Sequence, residues 1–464
     1  MADYVFLGPS LPLEEARSLL PDAVFLPPVQ HGDLLKIKPV PGDRVLIIDG
    51  LFMRAPAVRH REVLDLLARG IPVAGSSSMG ALRAAELWRF GMRGVGRVFE
   101  LFRDGVVTGD DEVAVVHAPA EDGWVCLSEP LVNLRVNLSD AVAAGRLTPA
   151  EADALLELGR SLPFRVRGPR ALERQARKVL ADDSIDRYLA WMAEHPRDAK
   201  ADDARLLLSM AARNAPELAE AEHPLAPIEN VDTHDFERWR GRHGGQYVGK
   251  RWVADASTVT AIMALHPDHP VLHRRRVLAA ITGAPDDSSD TDLTRAALAF
   301  AQANGFLQDA QPGQPIASPW LSPSERHLDP QEATVRVLVR AFGTRVCSPL
   351  SAQALHPALL DPGIVAASRR FVRAALQLTD RLPRPDPRRP HLRLGFRGEV
   401  IDRIFAKLWD TAPADLPAAA WDRGFRDLAQ LHTYTGPFVA ALRAAEPPRF
   451  PAAVARSPVA LGSP

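Results

Sequence analysis

Three consecutive serines, Ser76, Ser77 and Ser78, stand between Gly75 and Met79-Gly80, after an apolar run ending at Ala74 and before an alanine-rich stretch reaching Leu87. Small residues at a strand-to-helix turn let a ligand come close, and the unpaired N–H groups of the first helical turn favour an anion there. Gly75, Ser76, Ser77 and Gly80 are therefore candidate substrate-binding residues. Ser78-Met79-Gly80 also matches the second half of a nucleophile elbow, in which glycine follows the serine by two positions. The first half departs from that pattern, because Ser76 occupies the place of its first glycine. Turn chemistry alone favours one of these serines as the helix N-cap, Ser78 is also a candidate nucleophile, and the two readings are compatible.

Other groups could assist such a serine. Arg83 and Glu86 lie three residues apart on the predicted helix, so they share a face, either as a surface ion pair or as an anion-binding arginine with its carboxylate partner. Asp49 follows an apolar strand and precedes Gly50, a place where a carboxylate contacts a ligand or simply turns the chain. His117 ends the run Val113–Val116 and is the best-placed imidazole of the region, as a base or as a structural residue. Asp110-Asp111-Glu112 reads as a solvated turn, since no histidine stands at ligand spacing. Gly91, Gly94 and Gly96 have the glycines of a dinucleotide fingerprint in reverse order and follow a helix, so they read as a helix stop and a loop. His266, His269 and His273 are spaced by three and four, but Pro267 and Pro270 interrupt them, and they too read as a loop. Neither a metal nor a cofactor is expected.

These residues need a frame that holds them together. Tyr4–Leu7, Ala23–Leu26, Val45–Ile48 and Ile71–Ala74 read as short strands, with helices over Leu13–Leu20 and Ala57–Ala68 between them. Such alternation predicts an α/β domain with a mostly parallel sheet, whose ligands sit beyond the carboxyl ends of the strands, where Asp49 and the serines fall. Glu112–His117 and Trp124–Leu127 read as two antiparallel strands. From Ser128 onward the pattern is helical, with a linker at 222–230, a Pro- and Ser-rich stretch at 311–324, a turn-rich segment at 381–390 and a frayed end. The expected division is an α/β core over 1–140, a helical extension over 141–225 and a mainly helical region over 226–464.

Composition narrows the function. The 464 residues hold 56 Lys+Arg against 57 Asp+Glu, a formal charge of −1, so no global field draws the chain to nucleic acid or an anionic membrane. Only six of the cations are lysines. Cys126 and Cys347 are too far apart in sequence to suggest a disulfide framework or a metal cluster, and no apolar run is long enough to span a bilayer. A cytoplasmic protein is expected.

Ile47-Ile-Asp-Gly50, Gly75-Ser-Ser-Ser-Met-Gly-Ala-Leu-Arg-Ala-Ala-Glu-Leu87, Phe90-Gly-Met-Arg-Gly-Val-Gly96 and Asp111-Glu-Val-Ala-Val-Val-His117 together resemble TfuA-like proteins. Val5-Phe-Leu-Gly-Pro-Ser10 and Ser128-Glu-Pro-Leu-Val-Asn-Leu-Arg135 fit as well, so the resemblance covers roughly residues 4 to 140. It implies a part in the biosynthesis of ribosomally made, post-translationally modified peptides, beside a YcaO-type enzyme that activates a backbone amide with ATP. It further implies that the protein releases sulfide from the thiocarboxylated tail of a ThiS-type carrier for thioamide formation. Ser78 would then be the nucleophile or water-positioner and Arg83 would hold the anionic head. Asp49, Glu86 and His117 would orient or deprotonate, and Gly75, Gly80 and Ala81 would make room for the carrier's thin tail. Cys126 reads as a packed residue, not a persulfide relay. The other class of function is an adaptor that tethers carrier, YcaO-type enzyme and a precursor peptide without catalysis. Turnover of carrier by the isolated protein discriminates the two.

Overall fold

Four consecutive apolar residues, Val45–Ile48, leave no face for water, and they sit at the centre of a sheet. In the computed structural model, which describes residues 1–51, 55–219, 224–229, 233–285, 287–307, 316–346, 351–381 and 396–453, the chain divides into two units, Met1–Val231 and Asp232–Pro464. Cys347, the segment 381–390 beyond its first residue, all of the chain's last ten residues and parts of 222–230 and 311–324 lie outside the described residues.

Among its described residues the first unit carries five strands, β1 (Asp3–Phe6), β2 (Val24–Leu26), β3 (Arg44–Ile47), β4 (Val73–Ser76) and β5 (Arg93–Val95), paired in the order β2-β1-β3-β4-β5. Every pairing is parallel. Parallel strands are buried on both faces by crossover helices, and side chains alternate between those faces. Val45 and Ile47 pack with α2 (His60–Ala68) and α3 (Met79–Leu87), through Val63, Leu66 and Leu82. Leu46 and Ile48 face the other way, against α1 (Leu13–Leu19) and α9 (Ala199–Ala212), where Ala204, Leu207 and Leu208 complete a second core. The strand order reverses between β1 and β3, so a crevice opens beyond the ends of those two strands, as in other doubly wound sheets.

Between sheet and α9 the chain forms α4 (Arg97–Arg103), α5 (Leu131–Ala143), α6 (Pro149–Ser161), α7 (Pro169–Ala176) and α8 (Asp182–Glu194), the last four around a small core of Leu138, Leu155, Ile185 and Tyr188. Three sequence readings change here. The glycine segment read as a loop contains β5, whose Gly94 lies against the Phe99 ring so closely that an added Cβ would sit 2.1 Å from it. The two strands expected around Gly123 reduce to one antiparallel bridge, His117 with Cys126. The acidic run beside it is a 3-10 turn with Asp110 and Asp111 exposed, as a solvated turn requires, but Glu112 is buried and bound by Arg135 at 2.6 Å.

Among its described residues the second unit is helical apart from one hairpin, β6 (Gly245–Val248) with β7 (Arg251–Ala254). Its helices are α10 (His234–His243), α11 (Asp255–Leu265), α12 (His269–Thr282), α13 (Asp290–Asn304), α14 (Pro330–Val346), α15 (Pro362–Asp380), α16 (Gly398–Leu408), α17 (Leu416–Trp421), α18 (Leu428–Thr435) and α19 (Val439–Ala444). Residues 258 to 265 of α11 are all buried, so it is a central helix with apolar residues on every side. The three histidines read as a loop belong to helices. His266 caps α11, while His269 and His273 lie in α12, which begins with Pro270 in its first turn, where proline costs nothing. All three are buried, and burial holds His273 near a pKa of about 4.

Arg340, 1% exposed, ties this unit together: its guanidinium donates to both oxygens of Glu325 (2.6 and 2.7 Å), both of Asp422 (2.7 and 2.8 Å) and Trp320 O. Burial pushes the Glu325 carboxyl up, but the bonds from Arg340 and from Ser322 N outweigh it and hold it at about 2. A depressed folded-state value stabilises above the ordinary carboxylate range and is lost as pH falls from about 4.5 toward 2. Arg340→Met takes from Asp422 its ion-pair partner and leaves Glu325 with Arg336 alone, and it is expected to cost about 3 kcal/mol at pH 7. The cost shrinks on acidification through that window, measurable by urea denaturation at pH 7 and pH 3.

Candidate functional site

Asp49 follows β3 directly, and its carboxylate reaches across the reversal point to the loop after β1. Oδ2 accepts from Gly8 N (2.9 Å) and Ser10 N (3.0 Å), and Oδ1 from the Ser10 hydroxyl (2.6 Å), all buried. Asp49 thereby shapes the rim of the crevice. A cavity of about 460 Å3 opens there, lined by Asp49, Gly50, Ser78, the segment Val113–His117, Phe164 and Arg165 among others.

The serine turn is built by close backbone contact. A Cβ on Gly80 would fall 1.7 Å from Ile47 O, and one on Gly75 2.1 Å from Gly80 O. Both glycines let α3 press against the ends of β3 and β4, and neither lines the cavity, so their role is packing instead of room for a substrate tail. Ser77 holds the strained conformation of the turn, with φ at +65°. In the elbow template the nucleophile itself takes that strain; here its predecessor does. The Ser77 hydroxyl donates to Lys200 O at 2.8 Å, and Ser76 and Ser77 are fully buried with their hydroxyls 3.2 Å apart. Ser78 is the residue that faces the cavity. It stands at the N-cap position of α3 without using its side chain as a cap, and among the described residues its hydroxyl has no hydrogen-bond partner.

His117 lines the same cavity. Its Nδ1 meets Ala118 O at 2.8 Å, so the neutral ring carries its lone pair on Nε2, and Trp124 packs edge-on against it. Arg83 and Glu86 are not cavity-lining. Arg83 donates to Val58 O (3.0 Å) and to Glu86 (2.5 Å), which also binds His60 (2.8 Å). Burial pushes the Glu86 carboxyl up, but His60 and the Arg83 charge outweigh it and keep it below its ordinary range. The structure thus joins Asp49, Ser78 and His117 and sets Arg83 and Glu86 apart. The cation that does line the cavity is Arg165, its guanidinium 5.6 Å from the Phe164 ring centre.

Lys200 is a second cation that local sequence gave no reason to select, apart from the scarcity of lysine. It is 2% exposed, and its ammonium donates to Val113 O at 3.0 Å, on the cavity wall. The first turn of α9 therefore grips both sides of the crevice: Lys200 O holds Ser77, and Lys200 Nζ holds Val113. Cys126 is exposed as a residue, not packed in the core, but its sulfur is turned inward against Pro9 O, and the desolvation of that sulfur pushes the thiol to about 11. Among the described residues no group of three or more His, Cys, Asp or Glu is arranged to hold a metal ion.

Asp203, one turn along α9, accepts from Arg97 N and Val98 N (2.8 Å each) and so caps α4 from another helix. Burial pushes its carboxyl up to about 6 despite those bonds. With the unfolded value near 3.8, the folded state binds the extra proton between pH 4 and 6, and stability falls as pH rises through that window. Relative to Asp203→Asn, the wild type is expected to lose about 2–3 kcal/mol between pH 4 and 6.5, read from urea midpoints.

Residues 49–168 match the model of the TfuA-like protein family. The chain carries a TfuA-like region. It contains every residue named above as lining the cavity and extends through α5 and α6, while β1, β2, β3 and Lys200 lie outside the match. TfuA-like proteins are associated with YcaO-type enzymes and with the biosynthesis of modified ribosomal peptides, thioamide-containing ones included. No curated protein matches the chain. No helix among the described residues is long and apolar enough to cross a membrane.

Proposed function

We propose that the TfuA-like region releases sulfide from the thiocarboxylated C-terminus of a ThiS-type carrier and supplies it to a YcaO-type enzyme for backbone thioamide formation. The observation that carries this reading is the unpaired Ser78 hydroxyl in one cavity with the Nε2 lone pair of His117. Ser78 Oγ attacks the thiocarboxylate carbon as His117 takes its proton. The carbon–sulfur bond breaks, the proton passes to sulfur, and hydrosulfide leaves from an acyl-serine. Water, deprotonated by His117, then hydrolyses the ester to the carrier carboxylate. Hydrosulfide is a good leaving group near neutral pH, so the demand falls on the nucleophile and on stabilising the oxyanion. The N–H groups of Met79 and Ala81, which have no backbone acceptor among the described residues, suit that oxyanion. Arg165 receives the anionic head, a role Arg83 cannot take while bound to Val58 and Glu86.

The test is intact mass of a thiocarboxylated ThiS-type carrier, with sulfide detection in parallel, after incubation with the isolated protein. Conversion to the plain carboxylate, with stoichiometric sulfide, is expected. Carrier bound but unchanged would replace this reading with the adaptor, in which the protein tethers carrier, precursor peptide and YcaO-type enzyme.

A further inference from the structure

A second cavity of the first unit, about 610 Å3, lies among the helices of the extension and is walled by Leu134, Leu155, Leu158, Leu172, Leu189 and Met192. Its volume is that of a ligand site, and its lining combines apolar walls with a few polar groups, the usual composition of one. Two of those groups have bonding capacity left for a ligand. Tyr188 is nine-tenths buried, and among the described residues its hydroxyl has no partner. Glu129 also lines the cavity without an ion-pair partner; burial, then the charge of Asp198, pushes its carboxyl up, against a hydrogen bond from Asn133 and the charge of Lys200.

The remaining charges of the lining are spoken for. Arg205 pairs with Glu15 and Asp202, Arg197 pairs with Asp202, Glu173 pairs with Arg177, and Asp198 caps α9. What is left over is one carboxylate that has Asn133 but no salt bridge, and one phenol, inside an apolar wall. Their complement is a cation carried on an apolar body.

We propose that this cavity binds a peptide segment in which a lysine stands among leucine-like side chains, the ammonium meeting Glu129 and Tyr188 and the apolar neighbours filling the leucine wall. A groove between helices lined by leucine and methionine is the common form of a peptide-docking site, and a polar anchor fixes the register of what docks. Exposed Pro169, Pro196 and Arg197 at its margin leave it open to a chain that continues beyond the pocket. The inference does not rest on the reaction at Ser78.

The experiment is isothermal titration of the full-length protein with the peptide acetyl-Leu-Leu-Lys-Leu-Leu-amide and with the same peptide carrying norleucine or glutamate in place of lysine. The lysine peptide is expected to bind at least about tenfold more tightly than the norleucine one, the yield of one buried charge-assisted hydrogen bond. Glu129→Gln removes that preference, and Leu158→Gln weakens all three peptides. Equal affinity for lysine and norleucine, a preference surviving in Glu129→Gln, or no binding to wild type would each overturn the proposal. Decylammonium binding as tightly as the peptide would replace the peptide with a small amphiphilic amine.

Discussion

Gly80→Ala is expected to unfold the first unit or expel α3 from the sheet. The new methyl carbon would lie 1.7 Å from Ile47 O and 2.6 Å from Ile47 C, with the Gly75 Cα 3.2 Å away. All three neighbours are backbone atoms, two in the central strand and one in the adjacent strand, so no side-chain rotation relieves the overlap. The helix has to withdraw, which opens the core of Val45, Ile47 and Leu82 and breaks the Gly80 N to Ile48 O bond. Overpacking of this kind, compounded by that loss, costs on the order of 4–5 kcal/mol or more. Gly145→Ala is the contrast. Its position is left-handed, with φ at +65°, but an added Cβ meets nothing within 4 Å, so only the conformational cost of about 1–2 kcal/mol applies. Urea unfolding of the two variants should separate them clearly, and equal midpoints would contradict the packing account of Gly80.

Ser78→Ala is expected to abolish carrier hydrolysis while leaving the fold unchanged. A general base at this site contributes roughly 100- to 10,000-fold, and loss of the nucleophile it serves removes at least as much. Stability is predicted to move by no more than about 0.5 kcal/mol, because the hydroxyl makes no hydrogen bond and does not cap α3. Ser77→Ala reverses the pattern. It deletes the bond to Lys200 O that spans the sheet and α9, costing about 1 kcal/mol or somewhat more, and leaves the reacting group in place. Single-turnover assays by intact mass, with urea midpoints for the same preparations, test both. A Ser78→Ala protein that still converts carrier would move the attack to a bound water; an unstable one would return Ser78 to a capping role.

The parts of this architecture legible in the sequence are those set by local chemistry. Val45–Ile48 has no polar residue to turn toward water, so burial on both faces and a central place in a parallel sheet follow from those four residues. The small residues from Gly75 to Ala81 announce a tight strand-to-helix turn, and Asp49-Gly50 announces the end of a strand. Other elements were hidden for equally local reasons. β5 holds three residues, one of them Gly94, so no apolar run marks it, and its place is set by the neighbouring strand and by Phe99. Pro270 looked like a break in a helix that it in fact begins.

What only the tertiary structure decided is which of the candidate groups meet. Arg83 and Ser78 are five residues apart, yet one side chain turns to Val58 and the other to the cavity, since positions five apart face different sides of a helix. Asp49 and Ser10 are separated by 39 residues and Ser77 and Lys200 by 123, and each pair is joined within 2.8 Å. Composition and periodicity carry information over one or two turns of helix or a few residues of strand. Contacts across such separations depend on how α9 returns to cover the sheet, and that is settled by the fit of its apolar face against Leu46, Ile48 and Ala74.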